Sequence, residues 1–163
     1  MGERPRLHRR RRAGAIALLT AITLSVGVID SPDVAAAAGL RAKMLRFVNA
    51  ARERHDVAAL RLHADLSKEA MRHTRKMIRL DRIFDPRNLQ EILEPFDWSH
   101  LGAAAVGCGD SPWDLHRRLM RSPVHREILL HPDLRRVGIG AVKTTTRNRC
   151  GRGSIWVTQI FYG

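Results

Sequence analysis

The sequence has few aromatic residues and lacks a common motif of serine hydrolases. Aromatic side chains make up 5% of its 163 residues, and no run of basic residues alternates with them. Because single-stranded nucleic acid binds by stacking its bases on such aromatics, we do not predict nucleic acid as a partner. A Gly-x-Ser-x-Gly motif is also absent, so the sequence offers no nucleophile elbow of a hydrolase.

The first 37 residues have the composition of an export sequence. Arginines occupy positions 9–12, residues 13–29 carry no charge, and alanines fill positions 35–38. This order is typical of a secretory signal peptide, so we predict a signal peptide over residues 1–37, cut after Ala36, Ala37 or Ala38. An uncleaved membrane anchor at residues 13–29 is the alternative, because the apolar run is just long enough for a short span. A single domain at residues 38–163 follows, and we expect it to be secreted.

Positive charge dominates the predicted mature domain. Residues 38–163 contain 23 basic and 13 acidic side chains, which gives a net charge of +10. A secreted domain with this charge is attracted to phospholipid headgroups or anionic wall polymers, and the attraction weakens with salt. The predicted partner is therefore an anionic cell-envelope surface or a lipid. Solvated helix faces are the alternative explanation for most of the charge.

Cysteine is rare, with Cys108 and Cys150 as the two examples. Neither belongs to a Cys-x-x-Cys pair, so a zinc or redox site is not indicated. An even number of cysteines in an exported chain favours a disulfide between them, with two free thiols as the alternative. Because both have glycine neighbours, we predict that both lie in loops.

Hydrophobic periodicity predicts helices first and strands last. Helical spacing or capping residues mark residues 40–54, a helix after Asp65 that reaches about residue 80, a short piece at 90–93, residues 112–121 and a helix from residue 123. Alternating apolar residues predict strands at 137–143 and 154–162, paired as an antiparallel hairpin across a mobile loop at 144–153. This order predicts the α+β class. Connecting segments fill the rest.

Two helical positions carry residues with chemical interest. Ser122 followed by Pro123 predicts a capped helix start, which places His125 in the first turn. As a cap, the Ser122 hydroxyl is expected to bond to the helix backbone rather than act as a nucleophile. His73 falls on the buried stripe of the second predicted helix, where a hydrogen-bonded core histidine is the expected role.

A family resemblance emerges from the order of short motifs along residues 48–161. They are Val48-Asn49 with Arg52, then Leu60, Leu62, Leu66, Ala70 and Met77, then Trp98, Gly102, Val106-Gly107 and Gly109, then Leu115-His116, Met120, Ser122-Pro123, His125-Arg126 and Ile128-Leu129, then Val137-Gly138-Ile139-Gly140, and Ile155-Trp156-Val157 with Gln159 and Phe161. Together they resemble the bacterial branch of the CAP superfamily, which includes cysteine-rich secretory proteins, antigen 5 and pathogenesis-related 1 proteins and is also called the SCP domain. The resemblance implies an α-β-α sandwich with a central antiparallel sheet, and therefore strands beyond the two predicted above.

The family's cleft contains histidines and acidic residues that bind a divalent metal in some members. When the family pattern is compared with this sequence motif by motif, His125 matches one of the cleft histidines. Asp85 stands where the pattern has the other histidine, and Ala104 stands where it has the glutamate. A methyl group can neither transfer a proton nor hold a cation, so the resemblance implies a degenerate cleft without catalytic residues. We predict no cofactor. The alternative is that His73 joins Asp85 and His125 in a two-histidine, one-carboxylate site for a divalent metal such as zinc.

Three functions remain open. The predicted one is a non-catalytic binding or interaction module at an anionic extracellular surface. A lipid or sterol carrier is the second, because family members are associated with such ligands. A metal-dependent hydrolase is the third, since the resemblance permits an enzyme only weakly.

Overall fold

A computed structural model describes residues 1–2 and 32–163 of the protein. The predicted signal peptide lies mostly outside the described residues, and the alternative anchor at 13–29 lies wholly outside them. Within the described part, no helix is both long enough and apolar enough to span a bilayer. The elements are α1 (Pro32–Glu53), β1 (Arg61–Leu62), α2 (Ala64–Arg79), α3 (Leu89–Leu93), β2 (Gly102–Gly109), α4 (Pro112–Arg121), α5 (Pro123–Leu130), β3 (Arg136–Lys143), β4 (Arg147–Asn148), β5 (Gly151–Arg152) and β6 (Ile155–Tyr162).

The central sheet has the strand order β1-β3-β6-β2. Its three long strands are antiparallel, with β6 paired to β3 on one side and to β2 on the other. The predicted antiparallel pairing of the last two long strands is therefore confirmed. The two-residue strand β1 adds a short parallel pair beside β3, which makes the sheet mixed.

Helices cover both faces of this sheet, so a hydrophobic core lies on each face. Alternate residues of the strands point into one core or the other. Along β6, Val157 and Phe161 point into a core shared with α1, α4 and α5. Ile160 and Tyr162 point into a second core with α2 and α3. Because neighbouring strand residues face opposite sides, one strand supplies both cores. The fold is an α+β sandwich, as the resemblance implies.

Two glycines of β3 let α2 pack unusually close to the sheet. A Cβ atom added at Gly138 would lie 2.4 Å from the backbone carbon of Leu66, and one at Gly140 would lie 2.3 Å from that of Ala70. Real side chains never approach this closely, so both positions require glycine. The Val-Gly-Ile-Gly motif thus fixes the position of α2.

A buried arginine ties α1 to the segment that joins α5 to β3. The guanidinium of Arg52 is fully buried and donates to the backbone oxygens of Ala58, Leu129, His131 and Leu134, at 2.7, 2.9, 3.1 and 2.9 Å. Carbonyls at the end of a helix lack hydrogen-bond donors within the helix, and the Arg52 guanidinium provides these donors at the end of α5. This side chain therefore fixes where α5 ends and β3 begins.

Three sequence predictions need correction. Helix α1 begins at Pro32 rather than near residue 40, so the predicted cleavage positions lie within it. Helix α2 begins at Ala64 rather than after Asp65, and its N-cap is His63, whose Nδ1 accepts from the Leu66 amide at 3.3 Å. Cys108 lies in β2 rather than in a loop, although the predicted bridge between Cys108 and Cys150 is present.

The connection between β3 and β6 is shaped by side-chain hydrogen bonds. It contains the small β4–β5 hairpin and is joined to β2 by the disulfide. The Asn148 amide donates to Thr144 at 2.8 Å and its oxygen accepts from the Cys150 amide at 2.9 Å. The Arg149 amide donates to the Asp81 carboxylate at 2.9 Å, which links this hairpin to the end of α2. The segment therefore contains a short hairpin of its own, within what the sequence predicted as a mobile hairpin loop.

Candidate binding site

His125, the histidine that the resemblance assigns to the cleft, lies in the first turn of helix α5. His125 Nδ1 lies 3.0 Å from the Ser122 hydroxyl, and that hydroxyl makes no capping bond to the helix backbone. The prediction that the backbone occupies the Ser122 hydroxyl is therefore wrong, because the imidazole takes its place. Ser122 is nonetheless the N-cap, since its carbonyl accepts from the Arg126 amide at 2.8 Å.

His73 has the contacts of a hydrogen-bonded core histidine. Its side chain is buried in α2, and Nε2 lies 2.7 Å from the carbonyl oxygen of Phe84. A carbonyl can only accept, so Nε2 carries the proton. The Phe84 ring meets the imidazole edge-on, with centroids 5.0 Å apart. His73 thereby holds the chain segment that follows α2.

Ala104 and Asp85, the other two positions that the resemblance assigns to the cleft, lie on the side of the sheet that α2 covers. Ala104 is paired with Ile160 of β6, so its methyl group points toward α2 and α3. Asp85 is exposed in the connection between α2 and α3, directly after Phe84. Helix α5, by contrast, buries Leu129 in the core on the opposite face.

The alternative metal site is not assembled. Among residues 1–2 and 32–163, no three or more His, Cys, Asp or Glu side chains lie together in an arrangement that could hold a metal ion. His73, Asp85 and His125 therefore do not form the two-histidine, one-carboxylate set considered above.

A pocket of about 250 Å³ lies at the end of α2, beside the His73–Phe84 contact. We call it the α2 pocket, and its lining residues are His73, Lys76, Leu80, Arg82, Phe84, Pro86, Arg87 and Asn88. Three of these side chains are cationic and none is a carboxylate. A neighbouring groove differs, because Asp65, Glu69 and Glu91 accompany its basic residues.

The Phe84 ring forms part of the wall of the α2 pocket, beside two of the pocket's cations. The Lys76 ammonium lies 5.9 Å from the ring centroid and the Arg82 guanidinium 5.7 Å from it, both within range of a cation–π interaction. Behind the ring, Phe84 packs with the disulfide and with a buried cluster that includes Trp156. The sequence analysis gave solvated helix faces as an explanation for most of the basic residues and did not single out these cations.

Comparison with known proteins agrees with the fold. Residues 45–161 match the model of the cysteine-rich secretory protein family, CAP. An extracellular SCP-domain protein of Bacillus anthracis superposes with a TM-score of 0.64 at 18% identity, over 81% of this chain and 43% of that chain. An outer surface protein of Borrelia burgdorferi gives 0.63 at 19% identity, over 77% and 92%. A cysteine-rich secretory protein of Staphylococcus aureus gives 0.59 at 19% identity, over 77% and 39%.

At these identities the likeness concerns the fold. This chain spans less than half the length of the Bacillus and Staphylococcus chains. No curated protein was found to match the sequence.

Proposed function

The chain belongs to the CAP family of cysteine-rich secretory proteins, and from this premise we propose that it is a secreted, non-catalytic binding module that acts at an anionic extracellular surface. The observation that carries the proposal is the placement of its positive charge. Of the 23 basic side chains in residues 38–163, Arg52 is the buried one, and the others are exposed or half-exposed.

Few of these surface cations are neutralised by the protein itself. Within the described residues, the four that form ion pairs are Lys68, Arg72, Arg117 and Arg118. The remaining cations give the surface a long-range positive field that attracts anionic partners and is screened by salt.

The residues at the positions that the resemblance assigns to the cleft support a binding role over a catalytic one. Ala104 stands at the position where the family pattern has a carboxylate, and the change removes a group that could transfer a proton or hold a metal. The predicted signal peptide supports secretion, and similar structures include proteins described as extracellular or outer-surface.

Vesicle co-sedimentation tests the proposal. The purified protein is expected to pellet with phosphatidylglycerol vesicles at low salt and to stay in solution at high salt. It is expected not to bind phosphatidylcholine vesicles. Binding that is equal for both lipids, or unchanged by salt, would contradict an electrostatic surface module.

A hydrolase is the second candidate, and the contact between Ser122 and His125 favours it. A serine hydroxyl 3.0 Å from an imidazole has the spacing of a nucleophile and its base. Ester hydrolysis abolished equally in Ser122→Ala and His125→Ala would support this candidate. Hydrolysis that persists in both variants would point to a contaminating enzyme.

A further inference from the structure

We propose that the α2 pocket binds the headgroup of an anionic amphipathic molecule, a phosphate attached to a short apolar portion. This inference rests on the proposed function and assigns it a discrete site. General attraction to an anionic surface would need no pocket, whereas the arrangement around Phe84 combines charge with an apolar wall.

The charges of the pocket favour an anion. Lys76, Arg82 and Arg87 share a space of about 250 Å³, and no carboxylate lines it. Like charges brought together repel each other, and an anion between them relieves that repulsion. Arginine also presents a planar set of donors that matches two phosphate oxygens at once.

Two carboxylates lie near the α2 pocket but outside its lining. The Asp81 carboxylate accepts from the Arg149 amide, at 2.9 and 3.2 Å. Asp85 is exposed. The lining itself therefore carries three positive charges and no negative one.

The apolar part of the ligand has a matching wall. Leu80, Phe84 and Pro86 line the pocket together with the cations. Leu80 is 56% exposed and Ile83, in the adjoining turn, is 37% exposed. Large apolar side chains exposed beside a basic pocket are suited to contact the carbons next to a headgroup.

The wall is largely formed before any ligand arrives. His73 holds the Phe84 carbonyl at 2.7 Å, and the disulfide packs against the same cluster as the Phe84 ring. Preorganisation of this kind lowers the entropic cost of binding. The volume lies slightly below that of common small-molecule pockets, about 300–1,000 Å³, so a headgroup with a few carbons fits better than a whole acyl chain.

Titration with a soluble short-chain lipid tests the inference. Dihexanoylphosphatidylglycerol, used below its micelle concentration, is compared with dihexanoylphosphatidylcholine and with inorganic phosphate by amide chemical shifts and calorimetry. We expect saturable binding of the phosphatidylglycerol, with shifts at Leu80, Phe84 and Asn88. Inorganic phosphate is expected to bind at the same residues but more weakly, because it lacks the apolar portion. Equal affinity for both would overturn the amphipathic assignment.

Charge-matched double variants separate the pocket from the surface at large. Arg82→Gln with Arg87→Gln removes two charges from the pocket, and Lys43→Gln with Arg46→Gln removes two exposed charges from α1 on the opposite face. The pocket variant is expected to weaken phosphatidylglycerol binding by about tenfold or more, and the α1 variant by less than about twofold. Circular dichroism checks that both variants are folded. Equal losses in the two variants would overturn the site.

The inference and the proposed function can fail separately. Wild-type protein that pellets with anionic vesicles but shows no saturable binding of soluble phosphatidylglycerol would overturn the pocket and leave the surface module standing. Protein that does neither would overturn both.

Discussion

Replacing Arg52 by methionine should be among the most destabilising single changes in the domain. Methionine keeps an unbranched apolar stem but removes the four hydrogen bonds to Ala58, Leu129, His131 and Leu134. Burial, followed by the nearby Arg135, lowers the pKa of Arg52, which reflects the cost of taking this cation out of water. The charge is retained because its four carbonyl partners offset that cost.

The expected loss follows from the partners left behind. A hydrogen bond to a charged group contributes about 1.5–3 kcal/mol, and a buried carbonyl left without a donor costs about 1–3 kcal/mol. These contributions share one side chain and do not add fully, so we expect a loss of about 3–5 kcal/mol in the free energy of unfolding. Arg52→Lys keeps the charge but cannot reach all four oxygens, and should lose about half as much.

Urea unfolding followed by tryptophan fluorescence, to which the buried Trp156 contributes, measures these differences. Arg54→Met is the matched control, since Arg54 is exposed just beyond α1 and its replacement should change stability by less than about 0.5 kcal/mol. A loss below about 1 kcal/mol in Arg52→Met, or equal losses in the lysine and methionine variants, would refute the role given to this network.

Three further predictions concern the framework. Gly140→Ala would place a Cβ 2.3 Å from the α2 backbone and should prevent stable folding, whereas Gly39→Ala, with open space around it in α1, should raise the melting temperature slightly. Removing the disulfide with Cys108→Ser and Cys150→Ser opens a loop of 42 residues and should cost about 4 kcal/mol in urea unfolding; no change would mean that the bridge is not formed. Burial, and to a lesser degree a neighbouring arginine, lowers the pKa of His116 to about 4, so the unfolded chain binds more protons than the folded one as pH falls from about 6.5 to about 4. Stability should drop by about 3 kcal/mol over that window, and His116→Phe should flatten the drop; an unchanged slope in the variant would assign it to other groups.

Local features of the fold were predictable from sequence because their causes are local. Ser111 caps α4 through a 3.1 Å bond to the Asp114 amide, and a serine followed by proline indicates that start without any tertiary information. The long strands β3 and β6 show alternating apolar residues, so their pairing was also predictable. Strand β2 was not, because Gly102–Gly109 is rich in glycine and alanine and its ladder depends on β6, far along the chain.

The candidate site was predictable only in part, because its contacts join residues from separate elements of the chain. The resemblance assigns His125 and Ala104 to a cleft, which stays a prediction, and it did not indicate the contact between His125 and Ser122, which replaces an expected backbone cap. The α2 pocket escaped prediction because Lys76 lies on a helix whereas Arg82 and Arg87 follow it. Their convergence on Phe84 depends on the turn after α2, which His73 holds in place.

The affinity for anionic vesicles, measured side by side for the wild-type protein and His125→Ala across a salt series, tests most directly whether the protein binds anionic surfaces through its overall positive charge. Electrostatic binding that does not use the retained cleft histidine predicts the same dissociation constant for both proteins at every salt concentration, rising steeply with salt. Loss of vesicle binding in His125→Ala, with the variant still folded, would contradict binding through overall charge and assign it to a site that includes His125.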